Sequence, residues 1–530
     1  MQGLPDLTIG RWLIAWIPIV LVLVLMMGFR WSGGKSGAVA WVASLIVGAL
    51  FFGGDMDILA SGTIKGLWTT VFVLYLIWGA MTLYNVVDVT GSFKVIASTF
   101  TRLTHGNKLL QLLVLGWAFP SFVQGVCGFG VPVAVGSPLL VGLGFDPIVA
   151  VVTALIGHSW SVTFGSLGSS YSVLVRLTDL DPTRLATFGA LFLGIACLMV
   201  GFCIAHYYNG WKGIKDGLPA VLLIGGTMAI VLNIMANFVT PYVASFTAGI
   251  CGLLVGGLVV TKLKAYKPKE EATIEYEKEP FSFATAFSAY FILIAVVFAI
   301  YLIKPVKDYL SDLWVLGLPF PETQTVFGFT NESAKKYSSI KMFTAPGTLI
   351  FTSAFLAYLY YRSRKLWPEG GGKMVLNRAV KQAIGATVTV LTMSMMAVVM
   401  METGMTTYLA HGMAKYTGAA YAVISPFIGV LGAFMTGSNT NSNILFTGLQ
   451  REVATLLAIS PFVILGLQTT GGAIGNMFCP MNVALGTGVT NTVGREGECL
   501  KATTVYTIIQ CLVVGVLAWL MLYVFFPGIK

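Results

Sequence analysis

Two stretches of this sequence combine apolar flanks with clusters of uncharged, hydrogen-bonding side chains. They cover residues 124–171 and 436–491, and their charged residues are confined to Asp146 in the first and Arg451 and Glu452 in the second. Hydroxyl and amide donors, together with the free N–H groups of helix N-termini, can bind a small anion without a counter-charge. A cation would meet no carboxylate within the polar clusters. These stretches therefore favour recognition of a small anion.

The candidate substrate-binding residues are polar side chains and glycines of the two stretches. In chain order they are Gln124, Gly128, Gly130, His158, Ser159, Ser438, Asn439, Thr440, Asn441, Ser442, Asn443, Thr469, Thr470, Gly471 and Asn476. Six consecutive polar residues, 438–443, exceed what one helix cap needs, so ligand binding is the favoured interpretation there. Gly128 and Gly130 suit close helix packing equally well. No residue spacing is typical of a metal site, and we predict no cofactor beyond a coupling ion, either proton or sodium.

Three titratable side chains are candidates for carrying a coupling proton. The imidazole of His158 changes charge near neutral pH when it is unperturbed, although a histidine hydrogen-bonded to the backbone is the favoured competing interpretation. Asp88 and Glu402 lie at the ends of predicted membrane spans. Intramembrane acids are usually functional, but at a span end a capping or interfacial carboxylate is the alternative.

The composition indicates what kind of protein must position these residues. Of 530 residues, 56% are hydrophobic and 10% are charged, whereas a soluble domain is about 25% charged. Many apolar runs approach the roughly 20 residues that a helix needs to cross a bilayer. The net charge of +10 comes from Lys and Arg in the loops between these runs, where they orient a membrane protein. We predict a multi-pass membrane protein whose partner is the lipid bilayer and not nucleic acid.

The predicted fold is all-α, with about 12 transmembrane helices, two re-entrant hairpins and two broken helices. The hairpins cover residues 109–145 and 419–457, and the broken crossings cover residues 148–175 and 461–493. Non-helical backbone at membrane depth must be buried in protein or line a wet cavity. These four segments are therefore the predicted walls of the site.

The two polar stretches belong to a predicted internal repeat. The motif Asp88-Val89-Thr90-Gly91 precedes the first stretch, and Glu402-Thr403-Gly404 precedes the second. The distribution of basic loops makes the two copies cross the membrane in opposite directions, which is an inverted-topology repeat. The predicted domains are a first repeat at 1–216, two connecting helices at 217–260, a charged cytoplasmic linker at 261–283 and a second repeat at 284–530.

At these residues the sequence resembles the lactate permease family, bacterial transporters that take up lactate and glycolate with protons. The resemblance covers nearly the whole chain and is densest in the blocks GFGVPVA (128–134), LVGLGF (140–145), TGSNTNSN (436–443) and TGGAIG (470–475). It implies a fold similar to ion transporters with paired hairpins, in which a transport domain moves as an elevator against a scaffold. It also implies symport of a small 2-hydroxy monocarboxylate across the bacterial cell membrane, no enzymatic activity, and a possible homodimer.

Three positions depart from the family pattern and bear on the coupling ion. Gln124, Asn439 and Asn476 stand where familiar members carry glutamate, aspartate and lysine, while Glu402 stands where an uncharged residue is more usual. Amides carry no proton, but their oxygens are ligands that sodium accepts. The alternative is therefore a sodium-coupled transporter of another small organic anion. A membrane-embedded enzyme, with His158, Ser159 and Cys127 as a nucleophile site, is a remote alternative that no carboxylate or metal-ligand spacing supports.

Overall fold

The computed structural model describes residues 3–528 except 30, 105, 129, 267–278 and 302. In this part of the chain, nine helices are long and apolar enough to cross a membrane, or up to eleven if each of two bent pairs is one span. The predicted helical, multi-pass architecture is confirmed at this level. The predicted number of about 12 crossings, the re-entrant hairpins and the elevator arrangement stay predictions. Part of the predicted linker, 267–278, lies outside the described residues.

The described residues of the first half of the chain form helices joined by short loops. Its helices are α1 (Ile9–Ala15), α2 (Ile17–Leu23), α3 (Gly33–Phe52), α4 (Met56–Asp88), α5 (Ser92–Leu103), α6 (Lys108–Leu113), α7 (Phe119–Val126), α8 (Val131–Gly142), α9 (Pro147–Ser159), α10 (Ser169–Thr178), α11 (Pro182–Ile234) and α12 (Ala244–Leu254). The apolar run 12–29, which the sequence predicts to be the first span, is bent by 46° between α1 and α2. Five residues of π-helical geometry join α6 to α7, so 108–126 is one continuous apolar segment.

Helix α11 is two antiparallel helices joined by a tight break at Asn209 and Gly210. Gly210 has φ 55° and ψ −145°, a conformation that glycine adopts at little cost. After the break the chain runs back along itself, so that a Cβ on Gly217 would lie 3.3 Å from the Ala205 Cβ. The two parts contain the apolar runs 185–205 and 218–235, each of which the sequence predicts to be a separate span.

The second half adds a small β region to its helices. The elements are α13 (Phe283–Ala286), α14 (Ser288–Tyr301), α15 (Lys304–Leu313), β1 (Val315–Phe320), β2 (Thr323–Gln324), β3 (Thr330–Asn331), β4 (Ala334–Lys341), α16 (Pro346–Ser363), α17 (Gly371–Glu402), α18 (Met405–Thr417), α19 (Tyr421–Thr436), α20 (Asn439–Leu456), α21 (Pro461–Gly475), α22 (Pro480–Val489) and α23 (Glu496–Leu520).

The β region corrects the prediction of a purely α-helical chain with a plain loop at 304–341. Strands β1 and β4 pair antiparallel from Val315↔Lys341 to Phe320↔Ala334, and β2 pairs with β3. Helix α4 stabilises this pairing, because the indole Nε1 of Trp68 donates to the Tyr337 carbonyl of β4 at 2.9 Å. The strands of this segment thus also contact a helix that is distant in the sequence.

The order of elements from α4 to α11 recurs from α17 to α23. Each copy begins with a long helix and continues through a short helix that follows a left-handed glycine, Gly91 or Gly404, both with φ 76°. The two long helices cross antiparallel: Lys65 pairs with Glu402 at one end, and Asp88 pairs with Arg378 at the other. Equivalent long helices of the two copies therefore run in opposite directions.

Candidate functional site

The N-termini of four helices, α8, α10, α20 and α22, lie close together in two pairs. Ser170, the second residue of α10, lies 3.0 Å (Oγ–Oγ1) from Thr440, the second residue of α20. In the other pair, a Cβ on Gly130, which precedes α8, would lie 3.6 Å from the Asn482 Oδ1 of α22. Each N-terminus has unpaired backbone N–H groups and a partial positive charge. The arrangement brings two helix ends from each copy into one uncharged region.

Local sequence explains why helices begin at these points. Gly130 and Gly168 adopt φ 80° and 83° before α8 and α10, a left-handed conformation that favours glycine. Ser438 caps α20 by accepting a hydrogen bond from the Asn441 N–H, and Pro480 opens α22 with a backbone angle that suits a first helical turn. The interruptions predicted from glycine, serine and proline are therefore where the helices start.

Two asparagines of α20 connect the two copies through hydrogen bonds. The Asn439 Nδ2 donates to the Thr163 Oγ1 at 3.0 Å and to the Thr469 carbonyl at 3.1 Å. One turn later, the Asn443 Nδ2 donates to the Ser170 carbonyl and to the Thr469 Oγ1, both at 3.0 Å. All of these side chains are buried. We refer to Thr163, Ser170, Asn439, Asn443 and Thr469 as the asparagine network.

A second layer of amides holds the helices behind this network. The Gln450 Nε2 donates to the Gln468 Oε1 at 2.8 Å, and the Gln468 Nε2 donates to the Ser442 Oγ at 3.1 Å. The Tyr421 hydroxyl donates to the Gln450 Oε1 at 2.8 Å. These contacts join α19, α20 and α21. The first turn of α20 is therefore held by uncharged side chains.

Several acceptor oxygens around the asparagine network are buried and have no hydrogen-bond partner among the described residues. They are the side-chain oxygens of Asn439, Asn441, Asn443, Thr447 and Thr470. A buried polar atom left without a partner costs about 1–3 kcal/mol. Asn439, Asn443 and Thr447 are spaced four residues apart, so they share one face of α20. This face is suited to a hydroxyl donor or a cation.

A cavity of about 1160 Å³ reaches the site beside α17. Its wall includes Thr436, Ser438, Thr440 and Asn441 around the start of α20, and Pro480 at the start of α22. Two of the four helix N-termini therefore line a space that a ligand can enter. On the opposite wall lie Gln382 and Thr389 of α17.

Most of the predicted site residues are brought together. Gly128 donates its N–H to the Ser166 Oγ at 2.7 Å, and the Gln124 amide lies beside it, 3.0 Å from where a Cβ on Gly128 would be. Asn476 donates to the Gly472 carbonyl at 2.9 Å and accepts a bond from Asn482 through its own carbonyl. The departures from the family pattern at 124, 439 and 476 thus all lie in this buried, uncharged region.

His158 and Ser159 do not join the network. The His158 Nδ1 is 2.8 Å from the Ala154 carbonyl, and the Ser159 Oγ donates to the Ile156 carbonyl at 2.8 Å. Both side chains are hydrogen-bonded within their own helix, which agrees with the backbone-bonded interpretation of this histidine. Gly471 lies in a packing contact, because a Cβ there would be 1.9 Å from the Pro426 carbonyl oxygen.

The two candidate coupling carboxylates are ion-paired between α4 and α17. Glu402 lies 2.7 Å from the Lys65 Nζ, and these side chains are only 12% and 3% exposed. The Lys65 ammonium also lies 5.4 Å from the ring centroids of Phe320 and Tyr337. At the other end of the crossing, Asp88 pairs with Arg378 at 2.9 Å, where both side chains are more exposed. Neither carboxylate contacts the asparagine network in the described structure.

Sequence reasoning missed several residues that the structure places at or near the site. Thr163 and Ser170 lie within the first polar stretch, and their position after a helix break was a usable signal. Lys65 lies just before the predicted third span, and nothing local identifies Glu402 as its partner. Arg176 of α10 stacks on Phe72 at 3.9 Å and so links a site-bearing helix to α4.

Comparison with known proteins places the chain in a family. The family profile described as L-lactate permease matches residues 11–525. Glycolate permease GlcA of Escherichia coli K12 and L-lactate permease of Salmonella typhi are each 29% identical, over 97% of this chain and 96% of theirs. The crystal structure of the Alcanivorax borkumensis YdaH transporter is similar with a TM-score of 0.49 and 14% identity, covering 90% of this chain and 89% of that one. With a match over almost its whole length, the chain belongs to the L-lactate permease family.

Proposed function

We propose that this protein is a secondary active transporter that imports lactate, glycolate or a closely related 2-hydroxy monocarboxylate by cation symport. The observation that carries the proposal is the meeting of four helix N-termini in a buried, polar and uncharged region. Such a region binds one small negative charge through N–H groups and helix dipoles. The names of the relatives, a glycolate permease and an L-lactate permease, support the same substrate class.

The chemistry of the site suggests how such an acid would bind. The carboxylate would accept hydrogen bonds from the first turns of α20 and α22, which line the cavity. Its neighbouring hydroxyl would donate to an unpartnered amide oxygen of α20. An acid without that hydroxyl leaves the acceptor unpaired, and a site built to bind a hydroxyl discriminates strongly against such an analogue.

The repeated order of elements supports transport by alternating access. Equivalent long helices run in opposite directions, as in inverted-repeat transporters whose binding site lies between broken helices. In this proposal the site-bearing helices move relative to α4 and α17. The repeat boundaries and the two re-entrant hairpins stay predictions within this proposal.

The coupling ion is proposed to be a proton, with sodium as the alternative. The family resemblance supports a proton, while the uncharged Gln124, Asn439 and Asn476 and the unpartnered oxygens of α20 favour sodium. Sodium accepts neutral oxygen ligands, so it does not require a carboxylate at the site. In the alternative the transported anion differs from lactate.

The proposal is tested by uptake of labelled L-lactate and glycolate into proteoliposomes. An inward proton gradient is imposed first, and then an inward sodium gradient at matched pH. Accumulation driven by protons supports the main proposal, whereas accumulation driven by sodium alone supports the alternative coupling. No uptake of either acid under either gradient would overturn the proposed substrate class.

Two substitutions test the site directly. Asn439→Ala and Asn476→Ala should each abolish uptake. The first removes the amide that donates to Thr163 at the start of α20. The second removes the amide that donates to the Gly472 carbonyl and accepts a bond from Asn482 of α22 at 3.5 Å. Uptake is measured per amount of folded, monodisperse protein, so that a loss of fold is not counted as a loss of transport. Normal uptake by both variants would contradict the site assignment.

A further inference from the structure

A second cavity lies far from the asparagine network, between α11 and α23. It has a volume of about 770 Å³, within the range of ligand sites in proteins. Its wall is mainly apolar and aromatic, with Phe202, Tyr207, Trp211 and Ile509 among the lining residues. One polar contact lies inside it: the His206 Nδ1 and the Tyr506 hydroxyl are 2.9 Å apart. We call this cavity the α11–α23 groove.

The groove is continuous with a surface that must face lipid. Helix α23 belongs to a span of which only 33% is buried in the protein. Val505 and Ile509 line the groove, are 53% and 46% exposed, and continue into the exposed Ile508 and Leu512. In a membrane, such a surface is covered by acyl chains, and the groove opens onto it.

The charge at the mouth of the groove is positive. Glu498 is held by Arg495 through two hydrogen bonds of 2.7 and 2.8 Å, which neutralises its charge. Lys501 also lines the groove and makes no ion pair among the described residues. Lys212 follows the groove residue Trp211, which is 75% exposed, as is typical of an interfacial tryptophan. A basic mouth above an apolar cavity complements an anionic headgroup with acyl chains.

We propose that the α11–α23 groove binds an anionic phospholipid, with an acyl chain against Phe202 and Ile509 and the phosphate near Lys501. Basic pockets between transmembrane helices on the cytoplasmic side have this chemistry. Lys212 and Lys215 lie in a basic turn between apolar runs, which the positive-inside rule assigns to the cytoplasm. This is the leaflet in which anionic lipids concentrate. The proposal does not depend on which anion the protein transports.

Quenching of Trp211 fluorescence by brominated lipid tests the proposal. The full-length protein is placed in phosphatidylcholine vesicles that contain dibrominated phosphatidylglycerol or, at the same mole fraction, dibrominated phosphatidylcholine. Subtracting the signal of Trp211→Phe isolates this tryptophan from the other eleven. We expect phosphatidylglycerol to bind with about fivefold preference, the effect of one lysine near an anionic headgroup.

Two variants and one control distinguish a specific lipid site from general contact with lipid. Lys501→Gln should reduce the preference to none, while Lys373→Gln, an exposed lysine of α17, should leave it unchanged. Ala502→Phe should remove the preference by filling the groove. Equal quenching by the two lipids in the wild-type protein would overturn the proposal. Absence of quenching by both would also overturn it, since the groove would then be covered by something other than lipid, such as a second copy of the chain.

Discussion

Thr469 joins the side chains of the asparagine network. Its hydroxyl accepts a hydrogen bond from Asn443 at 3.0 Å and lies 3.0 Å from the Thr163 hydroxyl. Its carbonyl accepts bonds from Asn439 and Thr163. Thr469 thereby positions the side chains of Asn439 and Asn443. Their Oδ1 atoms have no hydrogen-bond partner among the described residues. At the scale of one residue, the hydrogen bonds to Thr469 fix the orientation of the Asn439 and Asn443 amides.

Thr469→Val should reduce uptake at least about tenfold, the effect of roughly 1.4 kcal/mol. The substitution preserves shape but leaves the Asn443 Nδ2 without its hydroxyl acceptor, at a cost of about 1–3 kcal/mol. Initial uptake rates per folded protein measure the effect. Thr455→Val is the matched control, because the Thr455 hydroxyl bonds only to the Arg451 carbonyl at the exposed end of α20. Equal rates for the two variants would show that the network does not position the substrate.

At the scale of elements, glycines allow α19, α20 and α21 to approach closely. A Cβ on Gly429 would lie 2.1 Å from the Gln468 carbonyl oxygen, and one on Gly472 would lie 2.0 Å from the Asn439 Oδ1. Real side chains do not approach this closely, so either substitution forces the helices or the asparagine to move. The crossing of these helices and the orientation of Asn439 therefore depend on the same small residues.

Gly471→Ala and Gly472→Ala should have different consequences. Gly471→Ala meets the Pro426 backbone and should destabilise the protein by about 1–3 kcal/mol through overpacking. Gly472→Ala meets the Asn439 side chain and should impair uptake more than stability. Thermal unfolding in detergent and uptake are measured together. In the control Gly226→Ala, a helical position with open space around it, stability should rise by about 0.5–1 kcal/mol. The same profile for all three variants would contradict this assignment.

At the scale of the whole molecule, α4 and α17 form one of the contacts between the two copies. The buried pair of Lys65 and Glu402 lies at one end of this crossing. The Lys65 ammonium also contacts the rings of Phe320 and Tyr337. Asn331 of β3 donates to the Glu402 carbonyl at 2.9 Å. The β region therefore covers the ion pair, and we expect these contacts to make Glu402 a structural partner of Lys65.

Lys65→Met should destabilise the protein by about 3–5 kcal/mol, because it leaves a buried carboxylate without its partner. The double variant Lys65→Met/Glu402→Gln should recover most of that loss and retain proton-driven accumulation. Arg378→Gln is the control at the more exposed pair, where the expected change is about 0–1 kcal/mol. Unfolding in detergent and accumulation in proteoliposomes are the measurements. If the double variant exchanged substrate normally but failed to accumulate it with protons, Glu402 would be the coupling residue.

The sequence by itself determined the membrane class, the order of the helices and the location of the two polar stretches. Hydropathy, basic loops and helix-breaking Gly, Ser and Pro are local properties, so they can be read without knowing the contacts. For the same reason the starts of α8, α10, α20 and α22 lie where the interruptions were predicted. The family resemblance at 128–134 and 436–443 agrees with the profile match over residues 11–525.

Only the tertiary structure decided which polar residues work together. Thr163 and Asn439 are separated by 276 residues, and Lys65 and Glu402 by 337, so no local pattern records either contact. His158 and Asn443 are both polar residues in apolar surroundings, yet one bonds within its own helix and the other bonds across helices. The strands at 315–341 likewise contact α4, through the hydrogen bond from Trp68 to the Tyr337 carbonyl. Such choices follow from how distant helices pack, because a buried polar atom takes whichever partner the packing brings within reach.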